Sequence, residues 1–177
     1  MLYAKQLLEA IPDQSLTVFD RGFLSAEILC GLTGSGTERH YIIPSKSNTK
    51  WEALEAESDD MLVRMRVSPQ ARSKCAELPE FWEARAITVV DAQSRKRILL
   101  TSLRDRRRYK PGDIAACYDK RWGIETSYRE LKQTMLGTAL TLRSKTMDGV
   151  YQEIWGTLIA YNLIRLEIAK AALGRQV

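Results

Sequence analysis

The chain has 177 residues, 45% of them hydrophobic, and 27 Lys and Arg against 22 Asp and Glu give it a net charge of +5. That length supports one sizeable core with room for a small inserted module, and the mild positive balance favours polyanion partners without fixing one. A single histidine, His40, excludes a His-rich metal site and argues against a Ser-His-Asp triad, while the widely spaced Cys30, Cys75 and Cys117 with no C-x-x-C pair argue against a zinc site or disulfide framework.

Residues 2–10 read as a short amphipathic helix, with Leu2, Leu7, Leu8 and Ile11 on or near one face, broken by Pro12-Asp13-Gln14. Ser15–Phe19 is a β-rich apolar run that ends at Asp20-Arg21-Gly22-Phe23, and Ser25 suits the N-cap of a helix through Leu32. An Asp just past the C-terminal end of a strand is where α/β proteins expose side chains for function. The same Asp also suits a turn in which it satisfies backbone amides, and both readings stand. Gly31–Gly36 reads as a loop that follows a helix and lacks the lysine placement of a P-loop. Arg39–Pro44 reads as a second buried strand, with His40 a structural residue.

From Ser45 to about Arg108 the pattern turns β-rich. Asp60–Ser68 alternates, with Leu62, Arg64 and Arg66 on one side and Met61, Val63, Met65 and Val67 on the other. Arg85–Val90 and Arg97–Leu103 are two further strand-like runs, joined hairpin-fashion by Asp91–Arg95. Arg104-Asp-Arg106-Arg107-Arg108-Tyr-Lys110 closes this module with five cations. Such a run suits either a solvated loop or a nucleic-acid backbone contact, which gains by releasing condensed counterions.

Pro111-Gly112-Asp113 opens a long helix, with Asp113 as N-cap, running to about Met135 and ending at Gly137. Within it lie Tyr118, Arg121, Glu125 and Lys132. In an unbroken α-helix these four fall on one strip about 60° wide and about 21 Å long. One carboxylate flanked by cations makes a poor core face and a good surface for a metal ion and a phosphate backbone, or else a solvated face with intrahelical ion pairs. Trp122 reads as a buried packing residue, with stacking on a base as the alternative. A second long helix follows from Met147 to about Leu173, whose stripe of Val150, Ile154, Leu158, Tyr161, Ile164 and Ile168 reads as core. No signal peptide or membrane span is visible, so a soluble cytoplasmic protein is expected.

Asp20-Arg-Gly-Phe after a strand, followed about a hundred residues later by Tyr118-x2-Arg121-x3-Glu125-x6-Lys132, resembles the DDE transposases of bacterial insertion sequences, in the group marked by a YREK signature (the IS-four group). Arg121-Trp122-x-Ile124-Glu125, Leu131-Lys132 and Leu142-Arg143-Ser144-Lys145 look like the same group, and the likeness spans nearly the whole chain. The fold class expected is α/β. The resemblance implies a partial ribonuclease-H-like core in residues 1–45 and 111–177, its first strands missing, interrupted by a β-rich insertion at 46–110 and closed by two long C-terminal helices. It further implies a metal-dependent enzyme that cleaves and joins DNA at insertion-sequence ends. By position Asp20 and Glu125 match two of the three carboxylates that hold Mg2+ or Mn2+. Tyr118, Arg121 and Lys132 match the residues that grip phosphates, with Arg106, Arg107 and Arg108 as further DNA contacts.

The partners so implied are double-stranded DNA, as transposon ends and target, and a second copy or a full-length transposase, with no membrane. The family's first aspartate belongs to a strand ahead of anything here, and Asp13 lies in the wrong element to replace it. The chain is therefore expected to be the C-terminal part of a transposase, inactive alone. Two other readings are a non-enzymatic module that binds DNA or inhibits a transposase, and a general ribonuclease-H-like nuclease or resolvase.

Overall fold

The structure is a computed structural model describing residues 2–56, 58–90, 94–135 and 142–174. The chain divides into two compact units, residues 1–121 and 122–177.

The first unit is built on a six-stranded mixed sheet. Helix α1 (Leu2–Glu9) leads to β1 (Ser15–Val18), α2 (Ala26–Gly34) and β2 (Arg39–Pro44). Strands β1 and β2 are parallel, with Ser15 opposite Arg39 and Val18 opposite Ile42, so α2 is the crossover of a β-α-β unit. Ser25 caps α2, its Oγ accepting from the Ile28 N–H at 3.3 Å. The expected loop from Gly31 begins later, because α2 continues to Gly34. Two contacts oppose the low helix propensity of glycine there. Leu32 is wholly buried, and the Thr33 hydroxyl donates back to the Leu29 carbonyl at 3.0 Å.

Residues 46–110 extend the same sheet. Strands β3 (Glu52–Ala53), β4 (Asp60–Arg66), β5 (Phe81–Val90) and β6 (Lys96–Thr101) give the order β1-β2-β6-β5-β4-β3, with a short helix α3 (Pro69–Lys74) between β4 and β5. β6 runs antiparallel to β2, placing Ile42 opposite Thr101 and Pro44 opposite Leu99. The alternation along β4 holds: Val63 and Met65 are buried and Arg66 is exposed. β5 starts earlier than the sequence pattern suggests, at Phe81, where Phe81–Trp82–Glu83 pairs with Arg66–Met65–Arg64. Residues 91–93 of the expected hairpin loop lie outside the described residues.

Both faces of the sheet are covered. Tyr41 and Ile43 face one way, into a core with Ile28, Leu29, Leu32, Val63 and Leu100 on which Leu8 and Ile11 also pack. Ile42 faces the other way, into a second core with Ile87, Leu99, Ile114 and Tyr118, which brings helix α4 (Pro111–Asp119) onto that side. Arg85, on β5, is wholly buried. It is satisfied by two bonds to the Asp60 carboxylate at 2.7 and 2.8 Å and by the carbonyls of Leu103 and Tyr109 at 3.2 and 2.7 Å.

The long helix expected from 111 to 135 is not continuous. Lys110 stands at the N-cap with Pro111 at the first helical position, and Asp113 lies inside the first turn instead of capping it. α4 ends at Asp119, Lys120 and Arg121 form a turn, and the Arg121 N–H donates to the Tyr118 carbonyl at 3.0 Å. The chain resumes as α5 (Trp122–Arg129) and then widens into a π-helical stretch (Glu130–Met135). A strip computed at 100° per residue therefore does not carry through from Tyr118 to Lys132.

The second unit holds α5, the π-helical stretch and the 28-residue α6 (Met147–Gly174). Glu130 ties the π-helical stretch to α6, accepting from the Tyr161 hydroxyl at 2.8 Å and lying 3.7 Å from Arg165. Glu153 accepts from the backbone N–H groups of Arg143 and Ser144 and from the Ser144 hydroxyl, bonds that hold its carboxyl below the usual range. Trp122, read as a packing residue, is exposed. So are Ile154, Ile164 and Ile168, so among the described residues that part of the apolar stripe of α6 is not buried, while Val150, Leu158 and Tyr161 are half-buried. The expected helix end at Gly137 lies outside the described residues.

Candidate metal and nucleic-acid site

The strand pairing carries three chain segments to one end of the sheet. β1 and β2 end there, Phe19 N–H still donating to the Ile42 carbonyl at 2.9 Å, and β6 starts there, with Ser45 N–H donating to the Ile98 carbonyl at 2.8 Å. Asp20 is the first residue beyond this pairing. Its Oδ1 accepts from the Gly22 N–H at 2.9 Å and caps the short 3-10 turn Arg21–Phe23, so the turn-stabilising role is met. Its Oδ2 faces the other way, 3.6 Å from Arg121 Nη1. The Asp20 side chain is 56% exposed and that of Arg121 19%.

Tyr118 is only 7% exposed and belongs to the core that α4 forms with the sheet. Its ring lies beneath two guanidiniums: the Arg121 Cζ is 5.8 Å from the ring centroid and the Arg97 Cζ 5.0 Å. Arg97 comes from β6 and is bound through Nη2 to the Asp119 carboxylate. Arg97 and Asp119 were not singled out by the sequence pattern. An Arg at the start of a strand and an Asp at the end of a helix carry no signal until the fold brings them together.

Glu125 and Lys132 belong to the second unit, Glu125 in the first turn of α5 and Lys132 in the π-helical stretch, and both are exposed. In the Arg104–Lys110 run, Asp105 accepts from the N–H groups of Arg107 and Arg108 at 2.9 and 3.1 Å and closes a turn. Arg106, Arg107 and Arg108 are all exposed; Arg106 is engaged with Glu55 and lies 3.5 Å from Asp60, and the Arg108 Cζ lies 5.2 Å from the Tyr109 ring centroid.

Among the described residues no three His, Cys, Asp or Glu side chains gather into a ready-made metal cage. Asp20 in the first unit and Glu125 in the second each carry an exposed carboxylate. Hard oxygen donors in small number fit Mg2+ or Mn2+, ions that keep several waters and take one or two carboxylates from the protein.

A family model described as the transposase DDE domain matches residues 3–163. The chain belongs to the DDE transposase family. It is 41% identical over 170 residues to the transposase InsG for insertion sequence element IS4 of Escherichia coli, a match covering 96% of this chain and 38% of that protein. It is 23% identical over 172 residues to a putative transposase for insertion sequence element IS4SA of Synechocystis, covering 97% of this chain and 47% of that protein. A putative transposase InsZ of E. coli matches over 52 residues at 38% identity, 29% of this chain and 17% of that protein. The chain thus spans less than half the length of each of these relatives. Among the described residues no helix is long and apolar enough to cross a membrane.

Proposed function

We propose that this chain supplies part of the catalytic surface of a DNA transposase of the YREK-signature group, acting on the phosphodiester backbone at insertion-sequence ends. The observation that carries the reading is the position of Asp20 at the C-terminal end of β1, its outer carboxylate oxygen 3.6 Å from Arg121. An anion ligand for a divalent cation and a cation for a phosphate stand side by side, the pairing that phosphodiester chemistry needs.

In this reading Asp20 and Glu125 hold Mg2+ or Mn2+, which, when bound, activates an attacking oxygen and offsets charge on the leaving one. Arg121 and Lys132 bind backbone phosphates, Arg121 with its planar fork and Lys132 as a point charge. Tyr118 supports Arg121 from beneath, and Arg107 and Arg108 extend the basic surface. Residues 1–45 and 111–177 form a ribonuclease-H-like core and residues 46–110 an insertion that prolongs its sheet. The test is to count Mn2+ bound to the chain–DNA complex by electron paramagnetic resonance. Occupancy falls in Asp20→Asn and Glu125→Gln while duplex binding persists; unchanged occupancy in both variants contradicts the reading.

A second reading is a module that binds DNA or pairs with a transposase without catalysis of its own. It draws on β1 lying at the end of the strand order, where among the described residues it pairs with β2 alone. A strand edge of that kind is a template for a further strand. Co-purification with a transposase, lost when Thr17 is replaced by Pro, supports it; no co-purification counts against it.

A further inference from the structure

The ring of Tyr118 gathers two arginines from distant parts of the chain, and only Arg121 is accounted for by the reading above. Arg97 reaches the ring from β6, with its Cζ 5.0 Å from the centroid and its Nη2 on Asp119. Its side chain is 31% exposed. Its Nε is buried and, among the described residues, has no hydrogen-bond acceptor. A guanidinium is never deprotonated and carries five donors in a rigid fork. One bond to Asp119 leaves most of that capacity unused.

Two guanidiniums over one ring repel each other, and each is offset by a carboxylate: Asp119 for Arg97 and Asp20 for Arg121. If Asp20 turns its oxygen to a divalent cation, Arg121 loses that anion. A backbone phosphate supplies the charge that restores the balance, and two forks beside each other suit its oxygens. Arg104, the next arginine along the chain from β6, is by contrast spent on Glu83 at 3.1 Å.

We propose that Arg97 is a DNA-phosphate-binding residue, held beside Arg121 by the Tyr118 ring and pre-oriented by Asp119. This rests on the reading of the chain as a DNA-binding transposase surface. The contact is to a phosphodiester and is blind to base sequence.

The test is a salt titration of the 177-residue chain binding a fluorescently labelled duplex of mixed sequence, with thermal melting run in parallel. Each phosphate contact contributes about 0.9 to the slope of log affinity against log salt. Arg97→Gln makes the slope shallower by about that amount, Arg97→Lys retains it, and Arg121→Gln shows a loss of its own. Asp119 competes with the phosphate, so Asp119→Asn raises affinity at low salt when Arg97 is present. This second variant decides the matter if Arg97→Gln does not fold. An Arg97→Gln slope equal to that of the unaltered chain, with Arg121→Gln still shallower, overturns the proposal and leaves the broader reading standing. So does an Asp119→Asn variant that melts earlier with no gain in affinity. No binding by the unaltered chain, or no effect of Arg121→Gln, overturns the reading and this proposal together.

Discussion

Asp20 and Arg121, remote in sequence, meet at 3.6 Å at the end of the sheet where β1 stops and the turn after α4 begins. The carboxylate has two commitments at once: Oδ1 holds the following turn through Gly22, and Oδ2 faces a cation. In the proposed function the guanidinium occupies ground that a metal ion or a phosphate would otherwise share. Metal binding at Asp20 and phosphate binding at Arg121 are therefore linked, since each ligand takes one partner out of the pair.

From that linkage, Asp20→Asn increases affinity for duplex DNA at low salt, because Arg121 loses a competing anion. Half-exposed ion pairs of this kind are worth about 0.2–1 kcal/mol, so the gain is about 1.4- to 5-fold in dissociation constant. Fluorescence anisotropy checks it. A loss of affinity shows that the pair orders the site instead of competing with DNA.

Tyr118 separates two ways of using a tyrosine. With the ring 7% exposed and stacked against Arg97 and Arg121, its aromatic face is what the site uses. Tyr118→Phe keeps DNA affinity near that of the unaltered chain, while Tyr118→Leu weakens it and lowers the melting temperature. A large loss in Tyr118→Phe assigns the contact to the hydroxyl.

Arg85 is the interior charge on which the sheet depends. Asp60 and the carbonyls of Leu103 and Tyr109 satisfy it, so its removal leaves two acceptors without it and Asp60 with Arg106 at 3.5 Å. Arg85→Ala costs about 3–5 kcal/mol, the range for breaking a buried pair by removing one partner. Urea denaturation followed by circular dichroism measures the change in midpoint. A shift equivalent to less than 1 kcal/mol on the order of a surface pair contradicts this account.

The same pair gives a pH dependence. Hydrogen bonding from Arg85, then its charge and that of Arg106, hold the Asp60 carboxyl below its ordinary value of 3.8 despite partial burial, which acts the other way. A depressed carboxyl contributes stability that is fully present above its unfolded value and is lost as pH falls through the folded one. The stability gap between the unaltered chain and Asp60→Asn is therefore constant from neutrality down to about pH 5 and closes below about pH 4. Chemical denaturation at stepped pH reads it, and a gap that widens on acidification has the wrong sign.

Much of the sheet was legible because short strands announce themselves locally. Ser15–Val18, Arg39–Pro44 and the alternating Asp60–Arg66 carry β-branched or apolar patterns that their neighbours confirm once paired. Spacing across residues 111–135 predicts one helix because periodicity assumes an unbroken turn, whereas α4 and α5 are separate. Nothing local marks Lys120–Arg121 as a break. The Arg121 N–H closes on Tyr118 three residues back, and its side chain reaches Asp20, a contact that spacing alone does not reveal. Asp20, Tyr118 and Arg121 were each visible as candidates from their motifs. Their meeting, and the arrival of Arg97 at the same ring, depend on strand order and could not be read from spacing.

In the proposed function, Asp20 and Glu125 are both ligands to divalent cations. Fe2+ in place of Mg2+, supplied with hydrogen peroxide as oxidant and ascorbate to return Fe3+ to Fe2+, makes the bound ion a local source of hydroxyl radicals, which cut the polypeptide backbone where the ion sits. With the chain bound to duplex DNA, the account predicts two clusters of cuts, one near Asp20 and one near Glu125, both suppressed by excess Mg2+ and both lost in Asp20→Asn. Cuts confined to one of the two segments, or cuts that persist unchanged in Asp20→Asn, contradict it.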